Sequence, residues 1–309
     1  HIILLYGFLL NFVIFEHILN FNNLFKSNSC EQNMVDVKKQ GIKPQDYTGI
    51  FSLEDRVAIV TGGAGHLGKS ISNTLAAFGA RVVVLGRNKK NLDNFMKEYS
   101  EAFSNKFDAE VCDVTNPVQV DDLIKKTVGK YGGVDILVNA AYQKQNKIFE
   151  EMSLSDWDAA MNGSLTSYFL CTKAVSPFML KKGKGSVINL ASLYSFLGPD
   201  KRIFLDLGNC PGADYAVAKG GILQMTRYLA TRWASKGIRV NSISPGYFPK
   251  MNPGMPERKD YINELCTRTP MARIGQPDEL AGAVAYLASD ASSFVTGQNL
   301  IVDGGWSSW

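Results

Sequence analysis

Short apolar runs rich in β-forming residues alternate with helical patterns along the chain from Arg56 onward. Because nearly every position in each run is apolar, we expect helices to cover both faces of the corresponding strand, as in a parallel sheet. Helical patterns lie between consecutive runs. The sequence therefore predicts a single-domain α/β fold with a doubly wound sheet of seven parallel strands, at residues 57–61, 81–85, 109–112, 136–139, 186–191, 239–244 and 299–302.

The composition bounds the class of protein. The chain has 309 residues, of which 45% are hydrophobic, so it can bury a substantial core. Its net charge of +4 is spread without a long run of Lys or Arg, which argues against a nucleic-acid partner. The five cysteines are odd in number and lack C-x-x-C spacing. Neither a disulfide framework nor a metal site is therefore expected, and a reducing, cytoplasmic location is predicted.

Residues 1–33 are rich in Ile, Leu, Phe and Asn and differ from the rest of the chain. Their apolar run, residues 2–15, would reach only ~21 Å as a helix, short of the ~30 Å hydrocarbon core of a bilayer. We therefore expect residues 1–33 to lie outside the fold, followed by an arm at 34–52 and the main domain at 53–309. One interpretation is that Met34 starts the native protein; the alternative is a membrane anchor or an interfacial helix.

A glycine-rich turn at residues 61–68 follows the first predicted strand directly, and a helix is predicted to begin near Lys69. Glycines allow a tight turn and the close approach of a pyrophosphate, which the N–H groups and dipole of a helix N-terminus attract. Strand, glycine turn and helix in this order are the context of a Rossmann-type dinucleotide site.

Tyr215 and Lys219 form the most informative pair of side chains. Of the 12 tyrosines, Tyr215 alone is followed by a lysine four residues later. Both lie near the start of a helix predicted at 213–235, where a four-residue step places them on one face. A nearby ammonium favours the phenolate, so we expect it to lower the Tyr215 pKa from about 10 toward the range of a general acid/base.

Several motifs, in one order, resemble the short-chain dehydrogenase/reductase family over residues 51–309. The glycine turn is similar to the family's T-G-x-x-x-G-x-G, and the Tyr215–Lys219 spacing to its Y-x-x-x-K. The further similarities are Asp113-Val114 as the adenine-side acid, Asn139-Ala140-Ala141 as N-A-A-G, Ser192 as the serine after the fifth strand, Asn241 with Pro245-Gly246 as N-x-x-x-P-G, and Val302-Asp303-Gly304-Gly305 as V-D-G-G.

This resemblance implies an NAD(P)-dependent oxidoreductase that interconverts a secondary alcohol and a ketone. Tyr215 would exchange a proton with the reacting oxygen, Ser192 would hydrogen-bond that oxygen, and Lys219 would hold the cofactor ribose. The other residues implied to bind the cofactor are Gly62, Gly65, His66, Leu67, Gly68, Asp113, Val114, Asn139, Ala140, Pro245 and Gly246. The structural alternatives are that Ser192 caps a strand, Asp113 caps a helix and Asn139 serves a turn.

The chain departs from the family's pattern at four places. His66 occupies a glycine position, so we expect a reshaped phosphate loop or an imidazole that faces the cofactor. Ser164 stands at the position of the catalytic asparagine, where its hydroxyl is expected to hold a water that links Lys219 to solvent. Lys250 replaces a threonine implied to contact the nicotinamide. The segment at 198–211 is longer than usual and polar.

The end of the second strand bears on the choice of cofactor. An NAD site usually carries an Asp or Glu there, which would repel a 2′-phosphate, but residues 81–90 contain neither. Arg87 is suited to a bidentate contact with a phosphate. The sequence predicts a preference for NADP, with NAD as the alternative.

Polar residues predict a hydroxylated or acidic substrate. Two polar segments, 143–147 and 198–211, fall where the substrate is expected. They favour a sugar or sugar acid, as in members of the family similar to gluconate 5-dehydrogenase or acting on glycans. The alternatives are a 3-oxoacyl-carrier-protein reductase and a catalytically weak nucleotide-binding scaffold. The resemblance also implies a homo-dimer or homo-tetramer.

Overall fold

The computed structural model describes residues 47–104, 106–143, 145, 147–200, 202–203, 211–250 and 259–309. The predicted leader at 1–33, most of the arm at 34–52 and much of the polar segment at 198–211 lie outside the described residues. Residues 48–309 belong to one compact unit, and its first turn, Gly49–Phe51, lies within the predicted arm. No helix among the described residues combines the length and apolarity needed to cross a membrane.

Seven parallel strands form one sheet in the order β3-β2-β1-β4-β5-β6-β7, which confirms the predicted fold. The strand order reverses between β1 and β4, and such a switch point opens a crevice at the carboxyl ends of the strands. The strands are β1 Val57–Thr61, β2 Arg81–Gly86, β3 Phe107–Val111, β4 Ile136–Asn139, β5 Gly185–Leu190, β6 Ile238–Pro245 and β7 Asn299–Val302.

Helices pack on both faces of the sheet. The α-helices of the described residues are α1 His66–Ala77, α2 Lys89–Tyr99, α3 Pro117–Tyr131, α4 Leu154–Met161, α5 Ser167–Lys182, α6 Ala213–Trp233, α7 Lys259–Arg268 and α8 Ala281–Ala288. Because side chains alternate along a strand, Ala58 and Val60 of β1 face α1, α2 and α8, whereas Ile59 faces α3, α5 and α6. Burial on both faces accounts for the near-continuous apolarity of the inner strands.

A π turn, Asn162–Thr166, joins α4 to α5 without a break in the helical path. Such turns are rare and are frequently found at functional sites. The turn contains Ser164, which is fully buried. It therefore sets the direction of the residues that follow it at the start of α5.

Candidate active site

The glycine turn after β1 has the close-packed geometry that a dinucleotide needs. Gly62 adopts φ +65°, and a Cβ there would lie 3.0 Å from the Cα of Ala141. A Cβ on Gly68 would lie 2.1 Å from the carbonyl oxygen of Gly62, so α1 rests directly on the turn. No side chain caps the first turn of α1, whose N-cap is Gly65. The turn thus presents backbone N–H groups of the kind that bind a pyrophosphate.

His66 is the first residue of α1, slightly earlier than the helix start predicted near Lys69. Its Nε2 lies 2.9 Å from the carbonyl oxygen of Phe248. A carbonyl only accepts hydrogen bonds, so Nε2 carries the hydrogen and donates it. His66 therefore joins the glycine turn to the loop after β6.

A cavity of about 570 Å³ lies at the carboxyl ends of the strands and gathers most of the predicted site. The predicted residues that line it are Gly62, Gly65, His66, Leu67, Gly68, Arg87, Val114, Ala140, Ser192, Tyr215, Lys219, Pro245 and Gly246. Glycine turn, Arg87 and the Tyr–Lys pair thus share one site. Its lining fits a dinucleotide, because the glycine turn can bind the pyrophosphate while the hydroxyl of Tyr215 lies in the same cavity.

Asp113 and Asn139 do not line the cavity. The Asp113 carboxylate accepts hydrogen bonds from the backbone N–H and hydroxyl of Thr115. Desolvation opposes ionisation of Asp113, but these hydrogen bonds and the charge of Arg87 lower its pKa overall. Asn139 is fully buried, and its amide donates to Thr172 and Asn189 inside the fold. The Asp113 side chain therefore holds the loop after β3, where Asn116 and not Asp113 caps the next helix, and Asn139 ties β4 to side chains of β5 and α5.

Ser164 also has a task other than the predicted one. Its hydroxyl donates to the carbonyl of Gln143 and accepts the Gln143 N–H at 3.1 Å. The hydroxyl hydrogen is thereby used to fix the loop after β4. Among the described contacts, none joins Ser164 to Lys219, so the geometry does not favour the predicted water relay.

Lys219 is held by two oxygen atoms beneath the cavity. Its Nζ donates to the carbonyl of Leu190 at 2.6 Å and to the hydroxyl of Tyr168 at 3.3 Å. It also lies 5.7 Å from the ring centre of Tyr215, on the same face of α6. The predicted helix geometry of the Tyr215–Lys219 pair therefore places the two groups side by side.

The electrostatics of the pair differ from the prediction. Burial raises the pKa of Tyr215 to about 12, although a hydrogen bond with Ser192 acts in the opposite direction. Burial lowers the pKa of Lys219 to about 7. The predicted lowering of the Tyr215 pKa is wrong in this structure, because burial raises this pKa by more than the hydrogen bond lowers it.

Aromatic residues with hydroxyl groups flank Tyr215. Tyr142 packs against it edge to face, with ring centres 6.2 Å apart. Tyr194 and Tyr247 share a hydrogen bond between their hydroxyls, and Tyr247 packs on Trp306 at 4.5 Å. No group of three metal-ligating side chains occurs among the described residues. The surroundings of Tyr215 thus combine flat apolar rings with polar tips.

Several residues of the site lie outside the sequence motifs. Tyr142 and Phe248 line the cavity, and Tyr168 contacts Lys219, but none belongs to a quoted motif. One signal was present for Tyr168: it follows Ser164 by four residues, the spacing that places two side chains on one helical face.

The fold and this site define an oxidoreductase with a dinucleotide site, and comparison with known proteins gives the family. Residues 62–307 match a sequence model described as Enoyl-(Acyl carrier protein) reductase. The chain belongs to the short-chain dehydrogenase/reductase family, whose members act on CH–OH groups, and it is an oxidoreductase of that type.

Relatives with two different substrates are equally similar to the chain. A 3-oxoacyl-[acyl-carrier-protein] reductase of Thermotoga maritima is 36% identical over 254 residues, covering 82% of this chain and 98% of the relative. The gluconate 5-dehydrogenase of Gluconobacter oxydans is 36% identical over 258 residues, covering 83% and 96%. A crystal structure of a gluconate 5-dehydrogenase from Burkholderia cenocepacia, in complex with NADP and tartrate, has a TM-score of 0.75 at 34% identity and covers 84% of this chain and 98% of its own.

Proposed function

We propose that the protein is an NADP-preferring oxidoreductase that interconverts a secondary alcohol and a ketone on a sugar or sugar acid. The observation that carries the proposal is that Ser192, Tyr215 and Lys219 face the same cavity as the glycine turn and Arg87. A proton donor, a hydrogen-bond donor for the reacting oxygen and a phosphate site are all required for this chemistry.

In this proposal Tyr215, Ser192 and Lys219 each have a distinct role. The nicotinamide, when bound, supplies or accepts the hydride. Tyr215 donates a proton to the carbonyl oxygen during reduction and accepts it during oxidation. Its raised pKa keeps the phenol protonated and ready to donate near neutral pH. Ser192 orients the same oxygen through its hydroxyl, and Lys219 holds the ribose hydroxyls.

Arg87 supports the choice of NADP. It is exposed at the end of β2, lines the cavity, and donates a hydrogen bond to the Gln143 side chain at 3.4 Å. Gly86 precedes it, so no carboxylate occupies the place where a ribose 2′-hydroxyl would be bound. The Burkholderia cenocepacia relative holds NADP, which supports the same choice.

The test of the cofactor proposal removes the attraction of Arg87 for the 2′-phosphate of NADPH and adds a carboxylate that repels it. Replacing Gly86 by Asp and Arg87 by Ala should move the ratio of kcat/KM for NADPH over NADH toward NADH by at least ~10-fold. The single variant Arg87→Ala serves as the control for lost attraction alone. A parent enzyme with the higher kcat/KM for NADH would contradict the assignment.

The substrate proposal rests on the polar aromatic groups around Tyr215. The ring of Tyr142, which lines the cavity, can pack on the C–H face of a sugar while its hydroxyl binds a sugar oxygen. Two relatives that share this fold are named gluconate 5-dehydrogenases. These observations favour a hydroxylated substrate.

A 3-oxoacyl thioester is the second candidate. Tyr215 lies at the margin of a buried apolar cluster of Leu193, Ile203 and Leu265, so apolar surroundings adjoin the reacting group. The Thermotoga maritima relative, a 3-oxoacyl-[acyl-carrier-protein] reductase, is as similar to this chain as the gluconate 5-dehydrogenase.

One panel separates these candidates. Initial rates with NADPH are measured on keto sugars, 5-ketogluconate and acetoacetyl thioesters, with Tyr215→Phe as the matched inactive control. We expect kcat/KM to be highest for a keto sugar or keto sugar acid. A higher value for the thioester would replace the first candidate by the second, and NADPH binding without turnover on any ketone would support the nucleotide-binding scaffold.

The assembly proposed is a homo-dimer or homo-tetramer, the common state in this family. Phe169 on α5, and Val217 and Tyr228 on α6, are exposed apolar side chains on the helices next to the site. We place the contact between subunits on these helices, because burial of exposed apolar side chains against a partner is favourable. Light scattering after size-exclusion chromatography measures the mass directly, and a monomer at micromolar concentration would contradict the proposal.

We also propose a cytoplasmic location, which fluorescence microscopy of a tagged full chain can test.

A further inference from the structure

Tyr168 is a buried polar side chain that none of the tasks above uses. It is fully buried near the start of α5, directly after the π turn. Its ring packs with Ala191, Ile222 and Leu223. A tyrosine in such a place needs a hydrogen-bond partner, because an unpaired buried hydroxyl is costly.

The hydroxyl of Tyr168 has two partners, and one is Lys219. It donates to the carbonyl oxygen of Leu190 at 3.1 Å and accepts from Lys219 Nζ at 3.3 Å. Lys219 Nζ donates to the same carbonyl, so these three atoms form a closed triangle. Nζ also lies 5.1 Å from the ring centre of Tyr168 and 5.7 Å from that of Tyr215, which places the ammonium between two aromatic rings.

This geometry does not form a proton channel. The hydroxyl of Tyr168 donates to a carbonyl, which cannot pass a proton on, and the side chain is closed off from solvent. Burial also raises the pKa of Tyr168 far above its ordinary value, so the phenol stays protonated. Its oxygen can therefore act toward Lys219 only as a fixed acceptor.

We propose that Tyr168 is a positioning residue for Lys219: its hydroxyl accepts a hydrogen bond from the ammonium, stabilises the charged form, and fixes Nζ beside Tyr215. The inference rests on the proposed function of the site. The sequence predicted that Ser164 reaches Lys219 through a water, whereas the Ser164 hydroxyl bonds to Gln143 and the Tyr168 hydroxyl contacts Lys219 directly.

The other titratable groups around Lys219 do not compete for this role. Cys171 lies on α5 beside Tyr168, Tyr142 lies beside Tyr215 in the loop after β4, and the Asp214 carboxylate accepts the Gln145 N–H. Burial is what lowers the pKa of Lys219. Loss of the Tyr168 oxygen would therefore remove an acceptor that opposes the effect of burial.

The experiment measures the protonation of Lys219 without relying on turnover. The rate at which acetic anhydride labels Lys219 is followed by mass spectrometry against pH, because only the neutral amine reacts. In Tyr168→Phe the midpoint should move to lower pH by about one unit, since a hydrogen bond to a charged group is lost while the ring remains. Tyr131→Phe is the matched control: it deletes a hydroxyl bonded to Asp108, outside the cavity, and should leave the midpoint in place.

The kcat profile against pH, with NADPH and the best ketone, provides the second measurement. The part of the kcat profile that Lys219 controls should shift along the pH axis by as much as the midpoint of Lys219 labelling, and kcat should fall about tenfold. An unmoved midpoint would overturn the inference, whether or not the melting temperature falls. If Tyr168→Phe does not fold, 3-fluorotyrosine at position 168 keeps the shape and weakens the oxygen as an acceptor, and its midpoint must move in the same direction. A moved midpoint in a protein without turnover would support the inference and contradict the proposed function.

Discussion

At the scale of single residues, two tyrosines face one lysine and have opposite tasks. Tyr215 lines the cavity and exchanges a proton with substrate in the function proposed, whereas Tyr168 is fully buried. Burial raises the pKa of both phenols and lowers that of Lys219. The spacing singled out Tyr215 and Lys219 in the sequence, but it could not show that desolvation dominates the pKa of both groups, because burial depends on the whole fold.

We expect Tyr215→Phe to lower kcat by at least ~10²-fold, the usual contribution of a general acid/base, because the variant has no proton to donate. The affinity for NADPH should change little, since the ring remains. Tyr131→Phe is the matched control, because it removes the hydroxyl of a tyrosine that bonds to Asp108 outside the cavity. Stopped-flow single turnovers and fluorescence titration with NADPH measure the two quantities. A kcat of Tyr215→Phe within a factor of two of the parent value would show that Tyr215 is not the general acid/base.

At the scale of elements, apolar strands were the most predictable part of the molecule. β1, β4 and β7 have the predicted bounds, and the other strands differ by one or two residues at one or both ends. Edge strand β3 begins at Phe107 rather than at 109, because Phe107 packs on Phe95 of α2. The π turn was not predicted, since no local pattern distinguishes five residues of π geometry from an ordinary helix, and the contacts of Ser164 and Tyr168 depend on it.

The contact between α1 and the glycine turn gives a prediction for an element. Gly68→Ala places a Cβ 2.1 Å from the carbonyl oxygen of Gly62, so the helix must move away from the turn. Overpacking of this kind costs about 1–3 kcal/mol of unfolding free energy, and the displaced N–H groups should weaken NADPH binding at least ~10-fold.

Gly129→Ala is the control for this change. A Cβ on Gly129 meets nothing within 4 Å, and in the interior of α3 alanine should stabilise the helix by up to about 1 kcal/mol. Urea denaturation and NADPH titration measure both variants. Wild-type affinity in Gly68→Ala would show that the turn does not hold the cofactor.

At the scale of the whole molecule, two apolar layers enclose the sheet and leave its carboxyl edge to polar and titratable groups. That arrangement follows from the sequence, because strands apolar on both faces require helices on both sides. The substrate does not follow from it, since relatives with different substrates share the fold at equal identity. Because a titratable group of this site is buried, its protonation is coupled to the free energy of unfolding.

Lys219 makes that coupling measurable. Its pKa is about 7 in the folded protein and 10.5 ordinarily, so between these pH values the unfolded chain binds a proton that the folded chain does not. The free energy of unfolding must therefore rise with pH in this window, by up to about 1.4 kcal/mol per pH unit. Burial raises the pKa of Cys112 to about 11 and that of Cys171 to about 12. Above roughly pH 8.5 the thiols of the unfolded chain ionise, and this lowers the free energy of unfolding as the pH rises. The contribution of Lys219 is therefore best measured from roughly pH 7 to 8.5.

Lys219→Met removes the titrating group, and the rise with pH should disappear from urea denaturation curves of the variant. Lys126→Met, a change of the same chemistry at an exposed lysine of α3, should keep the slope of the parent. Subtracting the variant from the parent cancels the thiols and all other groups, which leaves the contribution of Lys219 alone. The difference in unfolding free energy should grow steadily from pH 7 to 8.5. Parallel curves for parent and Lys219→Met would mean that the lysine keeps an ordinary pKa in the fold, and that its charge is fully available to Tyr215 after all.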